Sequence, residues 1–416
     1  MPGRRLDHVD ATRPVKQVGV VSTHVLLFFA PASAAVTAGA ALTLLHAARD
    51  AFFFVSACML TYTYADAELN RMTVLRRFYR RRFVSVGIPY LCWTLIYYLS
   101  TLPEAGYPST GQALWALPHL LYVGYYHLYF LLVIMQFYLV FPFVLWLLRR
   151  TAGHHGLLLA AIVAIQFVLV IAMHWNVLPL GLRGVWAQRE APTYVLYLTG
   201  GAIAACHLSQ VHDWLCRNAR LVVLFTFAAA IAAEVVYYLA QDGVTTVLGA
   251  GDDPFQPSVI PFNAGIIACL YLIGVALVGP GRPDWLRAVV RSGSDNAYGV
   301  YLAQLVFINA LVWLGWEGLT GSVPWPLLCL LSVVIVYLGS FALTSLLART
   351  PLAVPLTGRT WVRLTTRTDD ERDKRMDRGS RRQPLRRPVP GGRERVSDTD
   401  VRGTEPVRTG LGTPAG

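Results

Sequence analysis

Charge is scarce in this 416-residue chain, where Asp, Glu, Lys and Arg make up 14% of the sequence against about 25% in an average soluble domain. So little charge cannot cover a water-facing surface. With 55% hydrophobic residues and a mean hydropathy of +0.47, the expectation is an integral membrane protein. Acidic residues are scarcer than basic ones, 24 against 36, a formal charge of +12. That excess does not point to nucleic acid, because 16 of the basic residues lie between Arg349 and Arg408 together with nine acids, and most others border apolar blocks. Basic residues in that position orient helices in a bilayer. Cysteine is also sparse: the six residues are scattered, with no C-x-x-C pair and no histidines at ligand spacing. This excludes a disulfide framework and a zinc site, and no metal is expected. There is no glycine-rich phosphate loop and no internal repeat.

What the chain does have is apolar runs long enough to cross a bilayer, about 20 residues each. Ten are expected, near 14–30, 50–66, 83–101, 125–148, 156–174, 192–208, 219–240, 258–279, 295–315 and 323–348. The first follows Arg4 and Arg5 in the manner of a signal peptide, but Lys16, Gln17 and His24 interrupt it, so a retained helix is expected. The fairly apolar stretch 32–48 is expected to be re-entrant or interfacial rather than an eleventh span. Charge supports the count: with a cytoplasmic N-terminus, 17 basic residues fall inside and only Arg49, Arg183 and Arg189 outside, before the tail is counted. The fold expected is therefore an all-α polytopic membrane protein of about ten helices, residues 1–348, with both termini in the cytoplasm. Residues 349–416 form a basic tail of net +7, rich in Pro, Gly and charge from about 366 onward and expected to be mostly disordered.

Function is sought where polar groups sit at membrane depth, each costing about 2.5–3.5 kcal/mol at a helix centre. Arg13 and His24 are 11 residues apart, so on a helix they lie within about 20° of one another, separated by a rise of about 16 Å. A cation that can hold phosphate at the cytoplasmic mouth and an imidazole that can act as a base deeper in make this pair the leading catalytic candidate. Five arginines, Arg76, Arg77, Arg80, Arg81 and Arg82, open the third span. Anchoring explains three or four of them, and Arg77, Arg80 and Arg82 are candidates to grip a polyanionic headgroup. Asp50, His127, Glu234 and Gln304 are further polar groups within or at the rim of spans. Asp50 or Glu234 is a candidate to orient His24; either serves equally as a structural partner for Arg49, Arg183 or Arg189.

These residues carry a resemblance. Leu6, Asp10 and Arg13 followed by ten residues and His24 resemble the start of the membrane-bound acyltransferase 3 family, whose first helix holds an Arg-x10-His motif. Asp50–Ser56 (DAFFFVS) resembles its D-x-F-F-x-x-S-G segment, with Ala57 where glycine is usual. Arg82 through Pro89 and Tyr90 is similar to the opening of its third helix, and His127–Leu131 (HLYFL) followed by Tyr138 and Pro142 to its H-L-W-F-L stretch. Gly299–Leu302 (GVYL) resembles a late G-I-Y-L-x-H motif. Two departures stand out: the family's Arg-x-x-Arg reads Arg82-x-x-Ser85, so that Arg77 and Arg80 take over or the second cation is lost, and the late histidine is Gln304. The resemblance covers about 6–142 and 293–308. It implies transfer of an acyl group, most often acetyl from acetyl-CoA, to a hydroxyl of a cell-envelope glycan, lipid-linked sugar or secreted metabolite. In that reading His24, Arg13, Asp50 and Glu234 are catalytic and Arg77, Arg80, Arg82 and His127 bind substrate. Acyl-CoA is donor and no cofactor stays bound, membrane lipid surrounds the chain, and the site is the inner (plasma) membrane. A transporter or flippase for a glycan or lipid-linked sugar is the alternative.

Overall fold

The computed structural model describes residues 6–102, 106, 109–175, 177, 184–244 and 255–359. The chain divides into a unit over Met1–Arg363 and a second over Leu364–Gly416. The expected disordered tail lies outside the described residues.

Among the described residues the first unit is helical throughout, without a strand. In chain order the helices are α1 (Asp7–Asp10), α2 (Thr12–Phe29), α3 (Ala35–Leu45), α4 (Ala47–Tyr64), α5 (Met72–Thr101), α6 (Thr110–Val123), α7 (Tyr129–Arg150) and α8 (His155–His174). There follow α9 (Gly184–Ala187), α10 (Val195–Cys206), α11 (Leu208–Arg217), α12 (Ala219–Gln241), α13 (Val259–Val278), α14 (Asp284–Trp313), α15 (Trp325–Leu347) and α16 (Ala353–Thr357). Each of the ten expected runs is a helix, but only eight helical stretches among the described residues are long and apolar enough to cross a membrane. The two that fall short do so for physical reasons. The 18 residues of α2 carry Arg13, Lys16, Gln17 and His24, and α10 with the 3-10 turn before it spans only Ala191–Cys206. The stretch 32–48 forms α3, whose 11 residues rise about 16 Å and are too short to span alone. The helix α6 has no counterpart in the ten expected runs.

The outer surface is apolar and part of the interior is polar, the reverse of a water-soluble bundle. Leu157 and Val168 on α8, Leu221 and Phe227 on α12 and Leu330 and Leu338 on α15 are exposed. Gln17, Thr94, Asn263, Gln304, Ser332 and Ser340 are buried. Lipid gives no penalty to exposed leucine, and a hydrogen-bonding group is sheltered only inside. The chain is a multi-pass membrane protein. Its helices approach closely at small residues: a Cβ on Gly201 of α10 would lie 2.2 Å from the Phe54 carbonyl oxygen of α4. Beyond residue 348 the chain stays packed, with Ala353 and Thr357 buried and the Trp93 Nε1 of α5 donating to the Leu356 carbonyl at 2.9 Å.

Candidate active site

A cavity of about 890 Å³ runs through the described helices, lined by α2, α4, α5, α7, α14 and the segment after α16. Its spine is α2, which contributes Arg13, Lys16, Val20, Thr23, His24 and Leu27, spacings of three, four and seven that form one helical face. The stripe shared by Arg13 and His24, read from periodicity, thus faces a single cavity. From α2 the chain returns through α3 into α4, so Arg49 sits at the His24 end and Thr63 and Tyr64 at the other.

The Arg13 end is cationic. Arg13 pairs with Asp10 at 3.0 Å, while the Nζ of Lys16, one turn further in, is buried with no hydrogen-bond partner, 4.5 Å from the centroid of the Phe52 ring. Arg82 lies over the rings of Tyr64 and Tyr138 at 5.2 and 5.9 Å. A fourth cation, Arg359, comes from beyond α16: it bonds to Asn296 Oδ1 at 3.1 Å and pairs with Asp295 at 3.7 Å. The turn that delivers it needs glycine, since Gly358 has φ +65° and a Cβ there would lie 2.8 Å from the Ser85 carbonyl. Arg359 therefore enters beside Ser85, where the family pattern has its second arginine. Arg77 and Arg80 are exposed and not part of the cavity wall, so they do not take over that position.

Toward the other end, His24 and His127 face the same space with ring centroids 5.6 Å apart. His127 follows a tight reversal at Gly124 (φ +79°) and Tyr126 (φ +40°) and is locked to α14. Its Nε2 lies 3.1 Å from the Tyr301 carbonyl oxygen, and the Tyr301 hydroxyl donates to the His127 carbonyl at 2.6 Å. A carbonyl only accepts, so Nε2 carries the proton and Nδ1, which has no partner, holds the lone pair. His24 Nδ1 is also buried and unpartnered.

Neither carboxylate proposed to orient His24 does so. Asp50 is buried against Arg49, Oδ1 accepting from Nε at 3.0 Å and Oδ2 from Asn263 Nδ2 at 2.7 Å. Asp50 is absent from the cavity wall, whereas Arg49 is part of it. Glu234 on α12 lines a separate groove with Phe227 and Ile231 of the same helix and Leu44 of α3, away from both histidines. Gln304 is fully buried, not on the wall, and its amide has no partner. Sequence reasoning passed over Arg359, Lys16 and Tyr301 as site residues. Lys16 left a local signal, a lysine on the Arg13–His24 stripe, and Tyr301 lies within the GVYL motif; Arg359 left none.

The family model described as an acyltransferase domain matches residues 9–345. The chain belongs to the acyltransferase 3 family. It is therefore an acyltransferase that moves groups other than aminoacyl groups. No curated protein and no solved structure matches it. The matched span of this acyltransferase contains both histidines and stops short of α16, so Arg359 reaches the cavity from outside the family domain.

Proposed function

We propose that this acyltransferase takes an acyl group, acetyl first among candidates, from acyl-CoA and transfers it to a hydroxyl of a cell-envelope glycan, lipid-linked sugar or secreted metabolite. The observation that carries the reading is a single cavity with Arg13, Lys16, Arg82 and Arg359 at one end and, further in, two imidazoles whose Nδ1 atoms have no partner. Guanidinium groups suit phosphate, and the donor's diphosphate would sit at that end with its pantetheine arm running along α2 toward His24. The arginine end would face the cytoplasm, where acyl-CoA is made, with the protein in the inner membrane and both termini cytoplasmic.

The chemistry follows from an imidazole beside an acceptor hydroxyl. His24 takes the hydroxyl proton as the oxygen bonds to the thioester carbonyl carbon. The carbon–sulfur bond then breaks and the CoA thiolate recovers the proton from the imidazolium. His127, held in one tautomer by Tyr301, keeps a lone pair on the opposite wall and serves to position the hydroxyl. Purified protein incubated with radiolabelled acetyl-CoA tests the reading: label moving to an acceptor in membrane extracts is expected. Transport of a glycan or lipid-linked sugar in vesicles with no label transfer would replace it with the transporter reading.

A further inference from the structure

The Arg49 end of the cavity has a buried hydrogen-bond donor of its own that the acyl donor does not answer. Among the described residues six Lys and Arg side chains line the cavity, Arg13, Lys16, Arg49, Arg82, Arg189 and Arg359, against one acid, Asp295. Asp295 pairs with Arg359 and belongs to the donor end. From Arg49 to Tyr64, whose ring lies under Arg82, is 15 residues of helix or about 22 Å, so phosphates held at Arg82 do not reach Arg49.

Arg49 is held from behind. Its side chain is 10% exposed, its Nε is bonded to Asp50, and its guanidinium carbon lies 5.1 and 4.8 Å from the ring centroids of Tyr194 and Phe255. Asp50 is in turn fixed by Asn263. The Nη2 remains buried without a hydrogen-bond partner, and one turn earlier His46 lines the same wall with an unpartnered Nδ1. A guanidinium carries five donors in a fork suited to a pair of oxygens, and a buried donor left unpaired is costly. With Nε taken by Asp50, a neutral sugar hydroxyl would give Nη2 an ordinary bond, whereas a carboxylate or phosphate forms the shorter and stronger charge-assisted one.

From this arrangement we infer that the acceptor is anionic, carrying a carboxylate or phosphate close to the hydroxyl that is acylated, and that Arg49 with His46 grips that group. The inference rests on the acyl-transfer reading and gives its acceptor a chemical class. Arg49 sets the hydroxyl at His24 through the anion; Asp50, behind it, is a positioning residue.

The test is to incubate membranes from cells making the chain with radiolabelled acetyl-CoA and resolve the labelled product by anion exchange, against membranes lacking the chain. An anionic product is expected, with mass spectrometry separating phosphate from carboxylate. Arg49→Gln alone leaves Asp50 unpaired and risks misfolding, so it is paired with the double variant Arg49→Gln/Asp50→Asn, which removes both charges. The double variant is expected to lose at least 10-fold in acceptor labelling while CoA affinity stays within 2-fold, and Arg49→Lys to fall between. A labelled product that passes through uncharged, or a double variant labelling at the wild-type rate, would overturn the inference and leave acyl transfer standing. A chain that binds no CoA and transfers no label would remove acyl transfer itself, and the inference with it.

Discussion

Asp50→Asn separates what the buried pair does for stability from what it does for the reaction. The substitution keeps the volume and leaves one oxygen facing the Arg49 Nε at 3.0 Å, but removes the only acid bonded to that guanidinium among the described residues. It also sets an amide against Asn263 Nδ2, 2.7 Å away, where a carboxylate oxygen accepted. With side chains 3% and 10% exposed, neither member of the pair has water to fall back on. Removing one partner of such a pair costs about 3–5 kcal/mol, because the remaining charge stays buried and unbalanced. Taking out both charges with Arg49→Gln/Asp50→Asn should recover most of that loss, since the desolvation of two ions disappears along with their attraction. Thermal unfolding of the four proteins in one detergent reads the cycle: wild type and double variant close together, each single variant well below. An Asp50→Asn protein within about 1 kcal/mol of wild type, or a double variant less stable than either single one, would refute the reasoning.

The histidines should separate by role: His24→Gln is expected to fold and bind a non-hydrolysable acyl-CoA analogue while transfer falls by about 10²–10⁴-fold, as loss of a general base does. Wild-type turnover in that variant would take His24 out of the mechanism. At the mouth, Arg359→Gln is expected to raise KM for acetyl-CoA several-fold with kcat little changed, while Arg77→Gln, on the exposed side of α5, changes neither. Equal KM values would count against phosphate recognition by Arg359. For packing, Gly201→Val should destabilise strongly, because even a Cβ would lie 2.2 Å from the Phe54 carbonyl oxygen and α10 and α4 must separate to admit it. A variant with unchanged melting temperature would show that this contact can relax.

The sequence alone determined the features set by local pattern. Apolar runs of about 20 residues bounded by arginines become helices whatever surrounds them, because a backbone without water must bond to itself. The Arg13–His24 face was equally legible, since helical periodicity aligns residues 11 apart without help from any neighbour. Tertiary structure decided everything that depends on which helix lies against which. His127 is locked by a residue 174 positions away and Asp50 by one 213 away, distances over which no pattern in the chain carries information. Glu234 and Asp50 read alike in sequence, an acid within an apolar run, yet packing sends one to a separate groove and buries the other behind Arg49. Arg359 is one of the 16 basic residues from Arg349 to Arg408, and only the turn at Gly358 against Ser85 brings it to the cavity. A charge far along the chain can reach the site because helices assemble in space, and its approach leaves no trace in the residues around it.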